Sequence, residues 1–273
     1  MSDLVSVIVI NYNTCELTSQ CLRSVIATTQ GVAYEIVLVD NGSTERSPED
    51  FIKEFPTIKL VALEKNVGFA KGNNEGINVS KGNFVLLLNS DTILTDDSVT
   101  SLYKVMKKHD DVAIASGKLT FADGRLQGVC QRFPSIRVFL FEISRLQKLY
   151  SREKKGKILF GSFFDYASEA FPDWVWGTFM MVRRDLINQL PNKKLNDDYF
   201  MYCEDIQWCM DFRNAGFRTL YTPEAKVIHL MGGSSANKSL LMRKNFESFL
   251  KKNYNGLHAW LLKHIYRSYY KIG

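Results

Sequence analysis

Several things are missing from this chain of 273 residues, and each absence excludes something. Cysteine is sparse and unpaired in pattern: five residues, an odd count, with no C-x-x-C spacing. A disulfide framework and a zinc ribbon are therefore not expected, and Cys15, Cys21, Cys130, Cys203 and Cys209 read as free, mostly buried thiols of a reducing compartment. No histidine stands beside any of them, so none is assigned a nucleophilic role. No charged-then-apolar leader precedes Leu4, where a β-branched run begins at once. The longest apolar stretch, 174–182, is too short to span a bilayer. Repeats, low-complexity linkers, a Walker loop and a G-x-G-x-x-G fingerprint are all absent. A soluble, cytoplasmic body is the expectation, either free or peripheral on the inner face of the membrane.

What is present is an ordinary globular composition, 45% hydrophobic and 23% charged, with a net charge of +6. The positive excess is local. Residues 238–271 carry eight Lys/Arg (Lys238, Arg243, Lys244, Lys251, Lys252, Lys263, Arg267, Lys271) against the single acid Glu247. Charge confined to one tail argues against a nucleic-acid-binding surface.

Strand-like apolar runs at 4–10, 34–39, 58–63, 84–88 and 112–116 alternate with helical patterns at 15–28, 48–55 and 96–109 and with a glycine-rich loop leading into a helix at 66–78. This alternation predicts an α/β fold with a doubly wound, mostly parallel sheet. Thr14 is expected to cap the first helix. Residues 119–126 predict a hairpin around Asp123-Gly124, 128–170 loops and short helices, and 174–182 a single apolar strand. A helix over 204–215 closes at Gly216, and 220–221 and 227–228 are expected as two short strands. Beyond Ser235 the pattern is helical, with Phe246, Phe249, Leu250, Leu257, Trp260, Leu261, Ile265 and Tyr269 at helical spacing.

In such a sheet the carboxyl ends of the strands share one edge, where ligands bind. Polar residues close these strands: Asn11-Tyr12-Asn13, Asp40-Asn41-Gly42-Ser43 and Asn89-Ser90-Asp91. Each could be a turn and nothing more. Asp40 could also accept the imide N–H of a uracil or thymine, with Tyr12 packing nearby. Asn66-Val67-Gly68-Phe69-Ala70-Lys71-Gly72 opens a helix with exposed N–H groups and a positive charge, which suits an anion as well as close packing. Glu204-Asp205 follows the aromatic run 199–202; it is either a helix-start dipole feature or a general base in an aromatic-lined cleft. His229 ends an apolar run and precedes Gly232-Gly233-Ser234-Ser235, a loop whose backbone can approach a ligand closely. Trp174 and Trp176 are core or acceptor-cleft aromatics.

Taken in order, these segments resemble family 2 glycosyltransferases, in particular the rhamnosyltransferase-like branch that builds bacterial surface polysaccharides. The carrying residues run from Val7–Asn13 through Val39–Ser43, Asn66–Asn74, Leu88–Asp91, Trp176-Gly177 with Arg183-Arg184, and Glu204-Asp205 to His229, about residues 4–235. The resemblance implies a GT-A fold, a nucleotide-sugar donor, a saccharide or lipid-linked acceptor, a divalent cation (Mg²⁺ or Mn²⁺) and inversion at the anomeric carbon. It implies Ile10, Asn11, Tyr12, Asp40 and Asn41 at the base, Asn66, Gly68, Lys71, Asn89 and Ser90 along the ribose and diphosphate, and Asp91 with His229 at the metal. Trp176 and Gly177 fall on the acceptor side, and Asp205 matches the catalytic base with Glu204 in support. One departure stands out: Asn89 replaces the first acid of the family's D-x-D motif. The donor reading is dTDP-rhamnose, with a UDP-hexose or a non-catalytic nucleotide-sugar-binding scaffold as alternatives. A glycosyltransferase domain is expected over 1–236, with a nucleotide half to about 118 and an acceptor half beyond. Residues 237–273 form a basic amphipathic tail that either meets an anionic membrane or packs on the domain or a second copy.

Overall fold

A computed structural model of the chain describes residues 3–231 and 238–272. In the first half, β1 (Leu4–Asn11), α1 (Cys15–Thr28), β2 (Ala33–Asp40), α2 (Glu49–Glu54), β3 (Lys59–Ala62), α3 (Phe69–Val79) and β4 (Phe84–Asn89) alternate as the hydrophobic pattern predicts. A short strand β5 (Thr92–Leu94), α4 (Ser98–Lys107) and β6 (Val112–Thr120) follow. The second half contains β7 (Cys130–Gln131), α5 (Ile136–Ile143), α6 (Arg152–Leu159), β8 (Trp174–Val175), β9 (Phe179–Arg183), α7 (Arg184–Ile187), α8 (Glu204–Asn214) and β10 (Arg218–His229). Two helices, α9 (Lys238–Asn253) and α10 (Gly256–Ile272), complete it.

Eight strands form one sheet in the order β3-β2-β1-β4-β9-β6-β10-β5, and β7 pairs with β8 separately. β1, β2, β3 and β4 run parallel, as do β6 and β10; β9 and β5 are antiparallel to their neighbours. Chain order reverses at β1, so the right-handed crossovers place α1 and α3 on opposite faces. That burial on both faces is why Phe84–Leu88 is an unbroken apolar run. α3 lies close on the sheet because Gly76 has no side chain: a Cβ there would stand 2.5 Å from the Ile8 Cγ2.

Three sequence expectations are corrected. The run 174–182 is not one strand, because Gly177 sends its N–H to the Asp205 carboxylate (3.3 Å) and the chain crosses between sheets there. The two short strands at 220–221 and 227–228 are one strand, β10, whose pairing shifts register between Tyr221 and Lys226, around Pro223. Thr14 occupies the N-cap position of α1 without capping it; its hydroxyl lies instead against Asn11 Oδ1 (3.2 Å) and the Ser90 hydroxyl (3.2 Å). β5 and the β7–β8 pair lie outside the expected elements.

The hairpin near Asp123-Gly124 is present, bridged between Thr120 and Leu126. Four of the five thiols are buried and all are free. Among the described residues no helix is long and apolar enough to cross a membrane. The tail is packed on the domain through Phe249, Leu250 and Leu262, all buried, while Leu257 and Trp260 are 71% and 54% exposed. Its basic residues are partly spent internally, since Lys263 and Arg267 both pair with Glu247, each at 2.8 Å. The side chains of Tyr269 and Lys271 lie outside the described set.

Leu87 sits fully buried at the centre of β4, opposite Ile8 and Met180. Leu87→Ala is expected to lower the unfolding free energy by about 2–5 kcal/mol, by lost transfer energy plus the cavity left behind. Urea unfolding measures this; a loss below about 1 kcal/mol would show that the core there can collapse.

Candidate functional site

Strand register brings the first polar residues together. Asn11 faces Asp40 across β1 and β2, and Ile10 faces Asn89 across β1 and β4. The Asn11 amide donates to Asp40 Oδ2 (2.7 Å) and to the Ser43 hydroxyl (3.0 Å), and its oxygen accepts from Thr18 (2.9 Å). Asp40 Oδ1 accepts from the Ser43 N–H at 3.0 Å. Both carboxylate oxygens are therefore engaged within the protein, and Asp40, 1% exposed, holds the turn that follows it. Each oxygen keeps a further lone pair for a ligand N–H. Tyr12, 45% exposed, stands at the rim.

Asn41 ties the glycine-rich loop to the end of β2. Its amide donates to Asn66 Oδ1 (3.1 Å) and Gly68 O (3.3 Å), and its oxygen accepts from the Val67 N–H (2.9 Å). Gly68 has φ +91°, and a Cβ there would lie 2.3 Å from Phe200 O. That same carbonyl accepts from the Phe69 N–H at 2.8 Å, so the loop is clamped to the segment before α8. α3 begins without a side-chain cap, leaving N–H groups for an anion, and Lys71 is exposed in its first turn.

Asn89-Ser90-Asp91 closes β4. The Asn89 N–H donates to Thr178 O (2.9 Å), next to Gly177. The Asn89 side-chain oxygen is buried with no partner. Asp91 Oδ1 lies 3.4 Å from His229 Nε2, both largely enclosed. Gln127 orients the imidazole: its amide donates to His229 O (3.0 Å), which turns its oxygen toward His229 Nδ1 (2.8 Å). With that amide orientation Nδ1 carries the hydrogen and Nε2 faces Asp91.

A carboxylate beside an imidazole lone pair, and the orphaned Asn89 amide two residues before Asp91, are donor types that fit Mg²⁺ or Mn²⁺, with one carboxylate where the resembled motif has two. Among the described residues no cluster of three or more His, Cys, Asp or Glu side chains forms a metal site. The Gly232-Gly233-Ser234-Ser235 loop lies outside those residues.

Glu204 and Asp205 open α8 behind two successive left-handed residues, Tyr202 (φ 69°) and Cys203 (φ 73°). Asp205 accepts from the Ile206 N–H (2.8 Å) and the Gly177 N–H (3.3 Å). Burial nevertheless pushes its carboxyl up to about 6, outweighing those two donors. Glu204 is 6% exposed with one carboxyl oxygen unpartnered. Burial, and after it the charge of Asp205, pushes its carboxyl well above the usual carboxylate range. A Cβ at Gly177 would make only ordinary contacts, 3.4 Å from Phe69 Cε1 and 3.5 Å from the Asp205 Cβ, so what this position gives Asp205 is its backbone N–H. Trp176 is half-buried beside it.

The contacts Asp40–Asn11, Asn11–Thr14, Thr14–Ser90, Asn89–Thr178 and Gly177–Asp205 thus form one continuous edge. Sequence reasoning missed Gln127, Thr178 and the Phe200 carbonyl. Thr178 and Phe200 act through their backbones, and Gln127 belongs to no motif.

The family model described as "Glycosyl transferase family 2" matches residues 6–190. Glycosyltransferase GlyG of Streptococcus pneumoniae serotype 4 is 26% identical over 194 residues, covering 70% of this chain and 60% of that protein. The N-acetylglucosaminyl-diphospho-decaprenol L-rhamnosyltransferase of Mycobacterium tuberculosis is 23% identical over 250 residues, 84% of this chain and 76% of that one. Among solved structures, the mannosyltransferase PcManGT from Pyrobaculum calidifontis, in complex with GDP-Man and Mn²⁺, superposes with a TM-score of 0.59 at 15% identity. That match covers 92% of this chain and 63% of that one, so this chain spans about three fifths of the length of both GlyG and PcManGT. The structural likeness shows a GT-A fold, and with a family match over most of its length the chain belongs to glycosyl transferase family 2.

Proposed function

We propose that this chain transfers a sugar from a nucleoside-diphosphate donor to a hydroxyl of a saccharide or lipid-linked saccharide, with inversion and with Asp205 as general base. The observation that carries this reading is Asp205 itself: a carboxylate pushed up to about 6, held against Gly177 on the same edge as Asn89 and Asp91. A base in that range is ionised at neutral pH yet still takes a proton usefully. The acceptor oxygen attacks the anomeric carbon and its proton passes to Asp205. The bond from that carbon to the phosphate oxygen breaks on the opposite face, and the electron pair leaves with the diphosphate. N–H groups at the start of α3, with Lys71, suit the departing phosphates.

Asp91 and His229, with Asn89 adjoining, would hold Mg²⁺ or Mn²⁺, which when bound neutralises charge on the diphosphate. The family match ends before Asp205, so the base assignment rests on geometry and on the motif Glu204-Asp205. dTDP-rhamnose is the preferred donor, supported by the rhamnosyltransferase relative; a UDP-hexose is the alternative. Leu257 and Trp260 on α10 are exposed apolar residues beside a basic surface, which supports peripheral contact with an anionic membrane where a lipid-linked acceptor resides.

Asp205→Asn is expected to lower kcat about 10²- to 10⁴-fold with donor binding retained. The assay is nucleoside-diphosphate release from dTDP-rhamnose, UDP-glucose and UDP-N-acetylglucosamine, with and without Mn²⁺. Native kcat should rise as pH increases through about 6. Normal turnover by the variant removes Asp205 as base, and no turnover by the native protein with any donor favours the scaffold reading.

Stability should move the other way. Folding raises the Asp205 carboxyl from 3.8 to about 6, so its contribution is complete below pH 3.8 and is lost as pH rises through 6. Asp205→Asn removes that penalty but keeps only one acceptor oxygen, losing one of the two N–H···O bonds, a net gain of about 1–2 kcal/mol above pH 7 that vanishes in acid. Thermal melts at both pH values measure it; equal melting at pH 8 would contradict the burial argument. For the tail, the double variant Leu257→Ser, Trp260→Ser should lose cosedimentation with anionic phospholipid vesicles. Unchanged sedimentation would remove the membrane reading.

A further inference from the structure

The bend that delivers Asp205 is strained. Tyr202 and Cys203 both adopt positive φ, 69° and 73°, a region that costs a side chain with Cβ and that glycine occupies freely. Cys203 is the N-cap of α8 yet offers no side-chain cap. The bend must nonetheless satisfy two demands at once. It sets Phe200 O on the Phe69 N–H of the glycine-rich loop, at 2.8 Å, and it sets Asp205 on the Gly177 N–H, at 3.3 Å.

What holds it comes from the tail. The Asn245 side-chain amide, on α9, donates to Met201 O (2.8 Å) and to Tyr202 O (3.2 Å). α9 is in turn fixed to α8 by a reciprocal amide pair. Asn253 donates to Gln207 Oε1 (2.8 Å), and Gln207 donates to Asn253 Oδ1 (3.3 Å). Burial of Phe249 and Leu250 anchors the same helix against the core. Strained backbone persists only where its surroundings over-determine it, and here those surroundings include a side-chain amide on a helix outside the family match.

We propose that α9 is part of the acid site and that Asn245 is a positioning residue for Asp205, holding the left-handed bend at 202–203 from the far side. The proposal rests on the reading of Asp205 as general base. Asn245 touches neither substrate nor the carboxylate; it acts by fixing the two carbonyls that precede α8. Its amide supplies both donors from one nitrogen, so an alanine there removes both bonds together.

The test compares Asn245→Ala, Asn245→Ser, Asn245→Ala with Cys203→Gly, Lys252→Ala and Asp205→Asn, using the full chain and diphosphate release from the three donors named above. Asn245→Ala should lower kcat roughly 10- to 100-fold with donor KM unchanged, the size expected for a displaced catalytic group. The acid limb of its pH–kcat profile should shift by on the order of half a unit as Asp205 changes environment. Deuterium exchange in peptides covering 199–206 should quicken. Asn245→Ser, which retains one donor, should fall between, and Lys252→Ala, a neighbour in an exposed pair with Asp198, should behave as native. Cys203→Gly in the Asn245→Ala background should recover kcat, because glycine holds the left-handed conformation without a clamp; a purely structural role in docking the tail predicts no such recovery. Native kcat and pH limb in Asn245→Ala, or a loss that Cys203→Gly leaves untouched, overturns the proposal. If Asp205→Asn is inactive while Asn245→Ala is native, only this inference falls. If Asp205→Asn turns over normally, the base assignment falls and takes the inference with it.

Discussion

The site depends on the register of β4 between β1 and β9. β4 pairs parallel with one and antiparallel with the other, so both rows of its hydrogen bonds are committed to the sheet. At its last residue the Asn89 N–H reaches Thr178 O, and the Asn89 carbonyl accepts from Thr92 Oγ1 (2.7 Å) and Cys21 Sγ (3.6 Å). With its backbone held on every side, the Asn89 amide oxygen remains buried and unpartnered. A one-residue slip would turn every side chain of β4, the Asn89 amide included, to the other face of the sheet, so the apolar run before it acts at a distance as a site determinant.

Charge is distributed economically along the edge this register creates. At one end stand Asp91, the Asn89 amide and an imidazole oriented by Gln127, with a single formal negative charge. At the other end two adjacent carboxyls share a buried environment, where desolvation pushes both up, Asp205 to about 6, and the charge of Asp205 pushes Glu204 further. On the proposed reading both ends follow one rule. Each limits the negative charge that is buried before the donor's phosphates arrive, so the resting site avoids an uncompensated cluster of like charges.

The parallel half of the fold was legible because its strands are buried on both faces and its helices on one, and both burials leave a period in the sequence. The strand-end residues Asn11, Asp40 and Asn89 were legible because polar residues interrupt those runs where a parallel sheet exposes its edge. The second half obeyed no such rule. Residues 174–182 are apolar except at Gly177-Thr178, too brief an interruption to reveal that the run breaks there to serve Asp205. β10 reads as two strands because Pro223 and Glu224 occupy its bulge. Gln127, Thr178 and Asn245 act through amides or backbone carbonyls reached over long sequence separations, which leave neither a period nor a charge pattern.

The tail illustrates this most sharply, because its sequence reads as a separable amphipathic module and its structure divides it in two. One face of α9 carries Asn245, Phe249 and Asn253 into the domain, against Met201, Tyr202 and Gln207. α10 folds back so that Lys263 and Arg267 neutralise Glu247, while Leu257 and Trp260 stay in solvent. A basic residue that has found its acid inside the protein attracts an anionic surface less, so any membrane contact by α10 must rest more on its apolar residues than the charge count suggests. Deleting residues 240–273 would remove the outward surface and the clamp on the Asp205 bend together, and loss of activity could then not be attributed to either. Only point substitutions on opposite faces of the same helical pair separate a surface that locates the protein from a side chain that aims its base.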